Sequence, residues 1–450
     1  MSYVKGVLDR LAAQNAGEPE FLQAAREVLT TIAPLADKDP KYEKHSILER
    51  MLEPDRTIIF RVTWLDDQNN VRVNRGFRVQ YNEAIGPYKG GLRFHPSVSL
   101  SVIKFLGFEQ VFKNSLTGLA IGGGKGGSDF DPKGRSEGEI MRFCQSFMTE
   151  LFKYLGPTID VPAGDIGVGG REIGYLFGQY KRLTSEHNGV LTGKGLGWGG
   201  SLGRTQATGY GAVYLAQDMM RGVGQDLEGR TCLVSGSGNV AIHAIEKLYQ
   251  VGARPVTCSD SQGFIHDKNG IDLEVLKKVK EVERARLTLY KKLVPKSEYT
   301  PVEKYPKGRN AVWNVPGEAA FPCATQNELN GQDAKALLKN GCLCVSEGAN
   351  MPSDEEAMNR FLAAKICYAP GKAANAGGVA TSQLEMAQNA SMQSWTFEEV
   401  DNRLKGIMRG IYTASAQTAR EFGDPTNLVM GANIAGFRKV AQAMIDLGAI

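Results

Sequence analysis

Histidine and cysteine are scarce in this chain of 450 residues, at five and seven. The histidines, His45, His95, His187, His243 and His266, stand far apart. No pair has the spacing that brings imidazoles onto one ion, so no metal site is expected. The cysteines, Cys144, Cys232, Cys258, Cys323, Cys342, Cys344 and Cys367, form no CxxC pair and are odd in number. That excludes a disulfide framework and predicts reduced, mostly buried thiols of a cytoplasmic protein. Net charge is also small, at +4, which gives no support to nucleic-acid binding, where a basic face or stripe is normal. Long apolar runs are missing too. Nothing approaches the ~20 residues that span a bilayer, and the first residues hold no apolar signal core, so no membrane partner is expected.

Glycine, by contrast, is plentiful at 53 residues, crowded into 86–127 and 164–211. Three lysines stand among these glycines: Lys89 in Pro87-Tyr88-Lys89-Gly90-Gly91, Lys113 in Phe112-Lys113-Asn114, and Lys125 in the loop-like run Gly122-Gly123-Gly124-Lys125-Gly126-Gly127. Asp165 closes the set in Val161-Pro162-Ala163-Gly164-Asp165. Bare glycine backbone admits a small ligand, and three ammonium groups around it suggest an anionic one. If they converge, mutual repulsion and lost hydration favour the neutral form of one lysine, a usable acid or base near neutral pH. The other two stay charged and hold carboxylates, with Asp165 as a second proton-transfer group. Taken singly, each lysine reads as readily as a surface residue beside a turn. A phosphate-binding P-loop is excluded, because Leu119 and Gly126 occupy positions where that motif needs Gly and Ser or Thr.

With 42% hydrophobic and 23% charged residues the chain has material for two cores, and two domains are expected. Residues up to about Leu52 read as helices, with apolar positions at helical spacing. Segments 57–62 and 71–79 alternate and are β-branched, a hairpin turning at 66–70. A helix over 101–116 puts Gln110 and Lys113 on one face, and another covers 137–155. A boundary falls near residue 200. Beyond it come a helix over 211–222, a strand at 231–235, Gly236-Ser237-Gly238-Asn239-Val240-Ala241 and a helix over 242–251. Strand, GxGxxA and helix in this order form the dinucleotide fingerprint, in which the second glycine admits the pyrophosphate and the helix start supplies its amides.

A second strand at 255–259 leads into Asp260, 22 residues after Gly238, where a ribose-reading residue belongs. Its carboxylate would bond the 2′-hydroxyl of NAD and repel the 2′-phosphate of NADP. Ser259 and Ser261 offer hydroxyls on either side, and Lys277, Lys278, Lys280, Arg284 and Arg286 follow on a basic segment that reads equally as a solvated helix face. Strands at 341–347 and 365–368 run into polar loops, the first holding Asn350; Ser382 lies just past the second. Helices over 398–422 and 431–447 complete the chain. The fold class is therefore α/β, with a doubly wound parallel sheet in the second half and ligand at the strands' C-terminal ends.

Pro87-Tyr88-Lys89-Gly90-Gly91-Leu92-Arg93, 104–110, 122–127, 161–165, Pro322-Cys323-Ala324-Thr325-Gln326-Asn327 and Ala374-Asn375-Ala376-Gly377-Gly378-Val379 closely resemble motifs of the hexameric glutamate dehydrogenases of bacteria and lower eukaryotes, across nearly the whole chain. The resemblance implies that Lys125 is the catalytic lysine and Asp165 the acid exchanging protons with the amino nitrogen. Lys113, Gln110 and the Gly164 backbone would hold the α-carboxylate, and Lys89 and Ser382 the γ-carboxylate. Thr208 and Asn239 fall at cofactor positions, joining Gly236, Ser237, Gly238, Val240, Ser259, Asp260, Ser261 and Asn350. The Ser-Asp-Ser sequence resembles that of NADP-using members, so NADP is expected over NAD. A homohexamer is implied, with 1–200 as substrate-binding and oligomerisation domain, 428–450 returning to it, and 201–427 as dinucleotide-binding domain. The run 294–317 departs from the family pattern.

The expected reaction is the reversible interconversion of L-glutamate with 2-oxoglutarate and ammonium. A neutral Lys125 assists water attack on the imine carbon, Asp165 shuttles a proton to ammonia, and domain closure expels water. Two alternatives stand beside it. A leucine, phenylalanine or valine dehydrogenase would need an apolar pocket at Lys89 and Ser382, and a non-catalytic dinucleotide-binding protein would have no use for Lys125 and Asp165.

Overall fold

A computed structural model describes residues 2–449. The chain forms two compact units: one holds the residues up to Arg204, Val379–Val400 and those from Asn433 onward, the other Thr205–Gly378 and Asp401–Ala432. Relative to the expected boundaries, the first domain gains Val379–Val400, and the final return begins at Asn433 rather than at 428. Ser382 thereby moves into the unit that carries the three lysines.

The first unit begins with helices Tyr3–Gln14, Pro19–Ala36, Pro40–Lys44 and Ile47–Leu52, as the apolar spacing predicts. Its five-stranded sheet has the order Arg56–Leu65, Val71–Asn82, Gly123–Ser128, Tyr88–Phe94, Asp160–Gly164. The hairpin pairs antiparallel from Arg56 opposite Gln80 to Leu65 opposite Val71. Its turn is held by the Asp66 carboxylate, which accepts from the Gln68 and Asn70 N–H groups at 2.9 Å. The glycine run around Lys125 is a wholly buried strand and not a loop. Glycine disfavours strands where side chains must pack, but here it is required by close approach. A Cβ on Gly123 would lie 2.4 Å from a Val111 methyl on helix Leu100–Leu116, and one on Gly90 would lie 1.6 Å from the Gly124 carbonyl oxygen.

Arg78 and Asp160, both fully buried, join non-neighbouring strands of this sheet. The Arg78 guanidinium also donates to the Gly90 carbonyl at 3.2 Å, and the Gln80 amide donates to Asp160 at 3.1 Å. Helix Glu137–Leu151, started by a Ser136/Glu139 capping box, adds an aromatic core in which Phe130 stacks on Phe143 at 3.8 Å and Phe94 meets Phe143 edge-on at 5.0 Å.

The second unit is built on a parallel sheet of order Cys367–Ala369, Cys344–Ser346, Ala319–Phe321, Thr231–Val234, Arg254–Pro255. The expected strand over 255–259 divides: Arg254–Pro255 stays in this sheet, while Thr257–Asp260 turns into a small antiparallel sheet with Gly263–His266 and Glu298–Pro301. The atypical run 294–317 supplies Glu298–Pro301 and a short helical turn, Ala311–Asn314. The fully buried Trp313 of that turn belongs to the core beneath the parallel sheet. Among the described residues no helix is long and apolar enough to cross a membrane.

Candidate functional site

In the first unit the strands carry the charged groups inward. The Lys125 ammonium lies 2.8 Å from Asp165 Oδ2, and Arg93 Nε lies 3.0 Å from the same oxygen. Gly91 makes this packing possible, because a Cβ there would lie 2.9 Å from the Asp165 Cβ and 3.3 Å from the Lys125 Nζ. Burial alone would raise the Asp165 pKa, but Lys125 and Arg93 outweigh it and hold the carboxyl at about 2. Burial lowers the Lys125 pKa from the usual lysine range, only partly offset by Asp165. Lys113, on helix Leu100–Leu116, is pushed down to about 8, first by burial and then by repulsion from Lys125. Gln110, one turn earlier, donates to Asn114 at 2.6 Å, and Asn114 in turn donates to the Lys89 carbonyl at 3.0 Å.

Lys89 is fully buried on strand Tyr88–Phe94 and donates to the Val161 carbonyl at 3.0 Å and to Thr192 Oγ1 at 2.8 Å. Burial pushes its pKa well below the usual lysine value, and Arg204 adds to the shift while Glu385 opposes it. Ser382, on helix Gly377–Ser391, accepts from Arg204 Nε at 2.9 Å. Glu385, one turn on, pairs with Lys194 at 2.9 Å in full burial and accepts the Gly193 and Lys194 N–H groups. All the expected residues of this half, Lys89, Gln110, Lys113, Lys125, Gly164, Asp165 and Ser382, therefore belong to one unit. Lys113 and Lys125 act on each other directly, and Arg204 acts on both Lys89 and Lys113. Sequence reasoning missed Arg93, Thr192, Lys194, Arg204 and Glu385 as members. Arg93 was within sight inside its motif; the others stand in unremarkable contexts.

In the second unit strand Thr231–Val234 ends at Ser235, and Gly236 turns with φ +85°. Its N–H donates to Ser259 Oγ at 2.7 Å, so the buried Ser259 braces the turn. Gly238 caps helix Asn239–Gln250 and has open space where a Cβ would stand. Asn239 donates to the Thr205 carbonyl at 2.7 Å, beside the first turn of helix Ala207–Gly222, where Thr208 lies. Ser237 is buried and Val240 half-buried, while Asn350 is exposed and accepts from the Asn375 amide at 2.7 Å. This turn fits a dinucleotide pyrophosphate by the means the fingerprint implies: a tight bend, a bare Cα and a helix start. Asp260 is braced by the backbone around it. Its two oxygens accept the Gln262 and Leu287 N–H groups at 2.9 and 3.0 Å, and Arg286 reaches Ser261 Oγ at 2.9 Å.

A family model described as glutamate/leucine/phenylalanine/valine dehydrogenase matches residues 199–448, and one described as Glu/Leu/Phe/Val dehydrogenase, dimerisation domain, matches residues 54–182. The chain belongs to this dehydrogenase family. Among its relatives, an NADP-specific glutamate dehydrogenase of Helicobacter pylori is 65% identical over 446 residues, covering 99% of this chain and 100% of that one. An NAD(P)-specific glutamate dehydrogenase of Xylanibacter ruminicola is 55% identical, covering 98% of each. The crystal structure of Plasmodium falciparum glutamate dehydrogenase superposes with a TM-score of 0.96 at 52% identity, covering 99% of this chain and 95% of that one. Lys89, Ser382 and Arg204 lie in the same unit of this chain.

Proposed function

We propose that this protein is an NADP-dependent glutamate dehydrogenase, catalysing the reversible reductive amination of 2-oxoglutarate with ammonia to L-glutamate. The observation that carries the reading is the pair of buried Lys125 and half-buried Asp165 at 2.8 Å in a unit that also buries Lys89 and half-buries Lys113. Two carboxylates need two cationic anchors. We assign Lys113, Gln110 and the Gly164 backbone to the α-carboxylate, and Lys89 with Ser382 to the γ-carboxylate; an ammonium and a hydroxyl there are wrong for a branched-chain substrate.

When bound, NADPH supplies the hydride. The chain's own residues bind, orient and move protons. Lys125, with a pKa lowered by burial and held up only by Asp165, is poised to lose its proton once its pairing with Asp165 is broken. As an amine it takes a proton from attacking water in the deamination direction; as an ammonium it stabilises charge on the developing carbinolamine oxygen. Asp165, released from the pair, carries the proton to and from the amino nitrogen. Gly236, Ser237, Gly238, Asn239 and Val240 would hold the pyrophosphate, with Thr208 and Asn350 nearby, and Ser261 and Arg286 would hold the 2′-phosphate. A homohexamer is supported by the dimerisation-domain match, and a cytoplasmic location by seven free thiols.

The test is absorbance at about 340 nm, where reduced nicotinamide absorbs, with 2-oxoglutarate, ammonium and either reduced cofactor. Oxidation of NADPH faster than NADH, with 2-oxoglutarate preferred to branched-chain 2-oxo acids, is expected. Preference for branched-chain substrates would overturn the dicarboxylate reading.

A further inference from the structure

Three loops follow the C-terminal ends of adjacent parallel strands in the second unit: 235–238 after Thr231–Val234, 322–328 after Ala319–Phe321, and 347–352 after Cys344–Ser346. They are bonded to one another. Ser235 Oγ accepts the Cys323 N–H at 3.0 Å, the Ala349 N–H donates to the Pro322 carbonyl at 2.9 Å, and the Asn327 N–H donates to the Met351 carbonyl at 3.0 Å. Glu328 closes the middle loop, its Oε1 accepting the Ala324 N–H at 2.9 Å. Its Oε2 is buried and finds no partner. A carboxylate with one oxygen buried and unpaired is costly, whereas a neutral carboxyl in the same place is far less so.

The groups around Glu328 relieve an anion only in part. Ser235 and the Ala324 and Thr325 main chain offer hydrogen bonds, while Glu347, from the next strand end, adds a like charge. Glu347 is itself buried, held by the Tyr368 hydroxyl and the Gly371 N–H, each at 2.7 Å. Cys323 carries a thiol that burial keeps neutral. From the segment beneath, Trp313 and Asn310 donate to the Glu328 main-chain oxygen, and Arg309 is committed to Asp333 and Asn314. Burial pushes the Glu328 carboxyl up to about 7.

We propose that Glu328 is a positioning residue for the dinucleotide, holding loops 235–238, 322–328 and 347–352 in register in its neutral form and loosening them on ionisation. The inference rests on the dinucleotide reading of this unit and goes beyond it, since Glu328 is placed in no contact with the cofactor. The sign follows from linkage. Cofactor phosphates add negative charge near the Ser235–Gly236 turn and favour the protonated carboxyl further, so binding takes up a proton and affinity falls as pH rises through about 7.

The experiment measures NADPH affinity of the full-length protein by fluorescence from pH about 6 to 9, with calorimetry in two buffers of different ionisation enthalpy to count protons. Wild type and Glu328→Gln are compared directly, so titration of the cofactor's own 2′-phosphate cancels. The glutamine keeps the acceptor for Ala324 and stays neutral. It should match wild type at low pH, bind several-fold more tightly than wild type above pH about 8, and lose the proton uptake. Glu328→Ala, which lacks the acceptor, should bind more weakly at every pH. A Glu328→Gln variant that follows the wild-type pH course, or that binds poorly throughout, overturns the role. Failure of the wild type to bind NADPH at any pH overturns the dinucleotide reading and this inference with it.

Discussion

Lys113 is the residue whose chemistry is most directly exposed to pH. With a pKa of about 8, it carries its positive charge below that value and loses it above. A carboxylate anchor needs the charged form. The dissociation constant of 2-oxoglutarate for the free enzyme is therefore expected to be flat below pH about 8 and to rise above it, by up to about tenfold per pH unit for one lost proton. Calorimetric titration at several pH values checks this, and Lys113→Arg, which stays charged, should move the break upward. Lys89, Lys125 and Asp165 stood out in the sequence because glycines flank them, and Lys113 because it shares a helix face with Gln110. Their partners did not. Thr192, Arg204 and Glu385 meet Lys89, Ser382 and Lys194 across up to 191 positions, and nothing local to those residues marks the encounter.

At the level of the single element, the strand Gly123–Ser128 shows why a glycine run can be misread. Strand propensity predicts a loop there, but propensity describes a side chain on a pleated surface, and here the surface is another helix and other strands at contact distance. The same reasoning explains the missed strand Ala319–Phe321, whose three residues are too few to show any period. The hairpin was legible because its alternation continues for ten residues on one side. What holds these glycine strands in place is the Arg78–Asp160 pair, where each charge is fully buried. Replacing Asp160 by Asn leaves the guanidinium without its counter-charge, and a loss of about 3–5 kcal/mol is expected. Chemical denaturation of the variant measures it, and a change under about 1 kcal/mol would mean the pair is not needed.

For the whole molecule, the expectation is a particle of six copies of the 48.9 kDa chain, read by light scattering on a size-exclusion column; a monomer across all concentrations would contradict it. The chain's division of labour was legible in outline, since the fingerprint and the lysine-rich glycine segments lie on different units. The traffic of the chain between those units was not. Val379–Val400 and the residues from Asn433 rejoin the first unit through packing that no local pattern announces. Placing Ser382 beside Arg204 depends on that return.

Lys125 is the group to which we assign movement of the proton. Lys125→Ala leaves Asp165 still paired with Arg93 at 3.0 Å, so the fold and the anchors survive and the comparison is clean. The deciding measurement is kcat for 2-oxoglutarate amination alongside the dissociation constant of 2-oxoglutarate in the same variant. The expected result is binding within a few-fold of wild type with kcat lower by about 10²–10⁴-fold. Turnover close to that of the wild type would contradict the assignment.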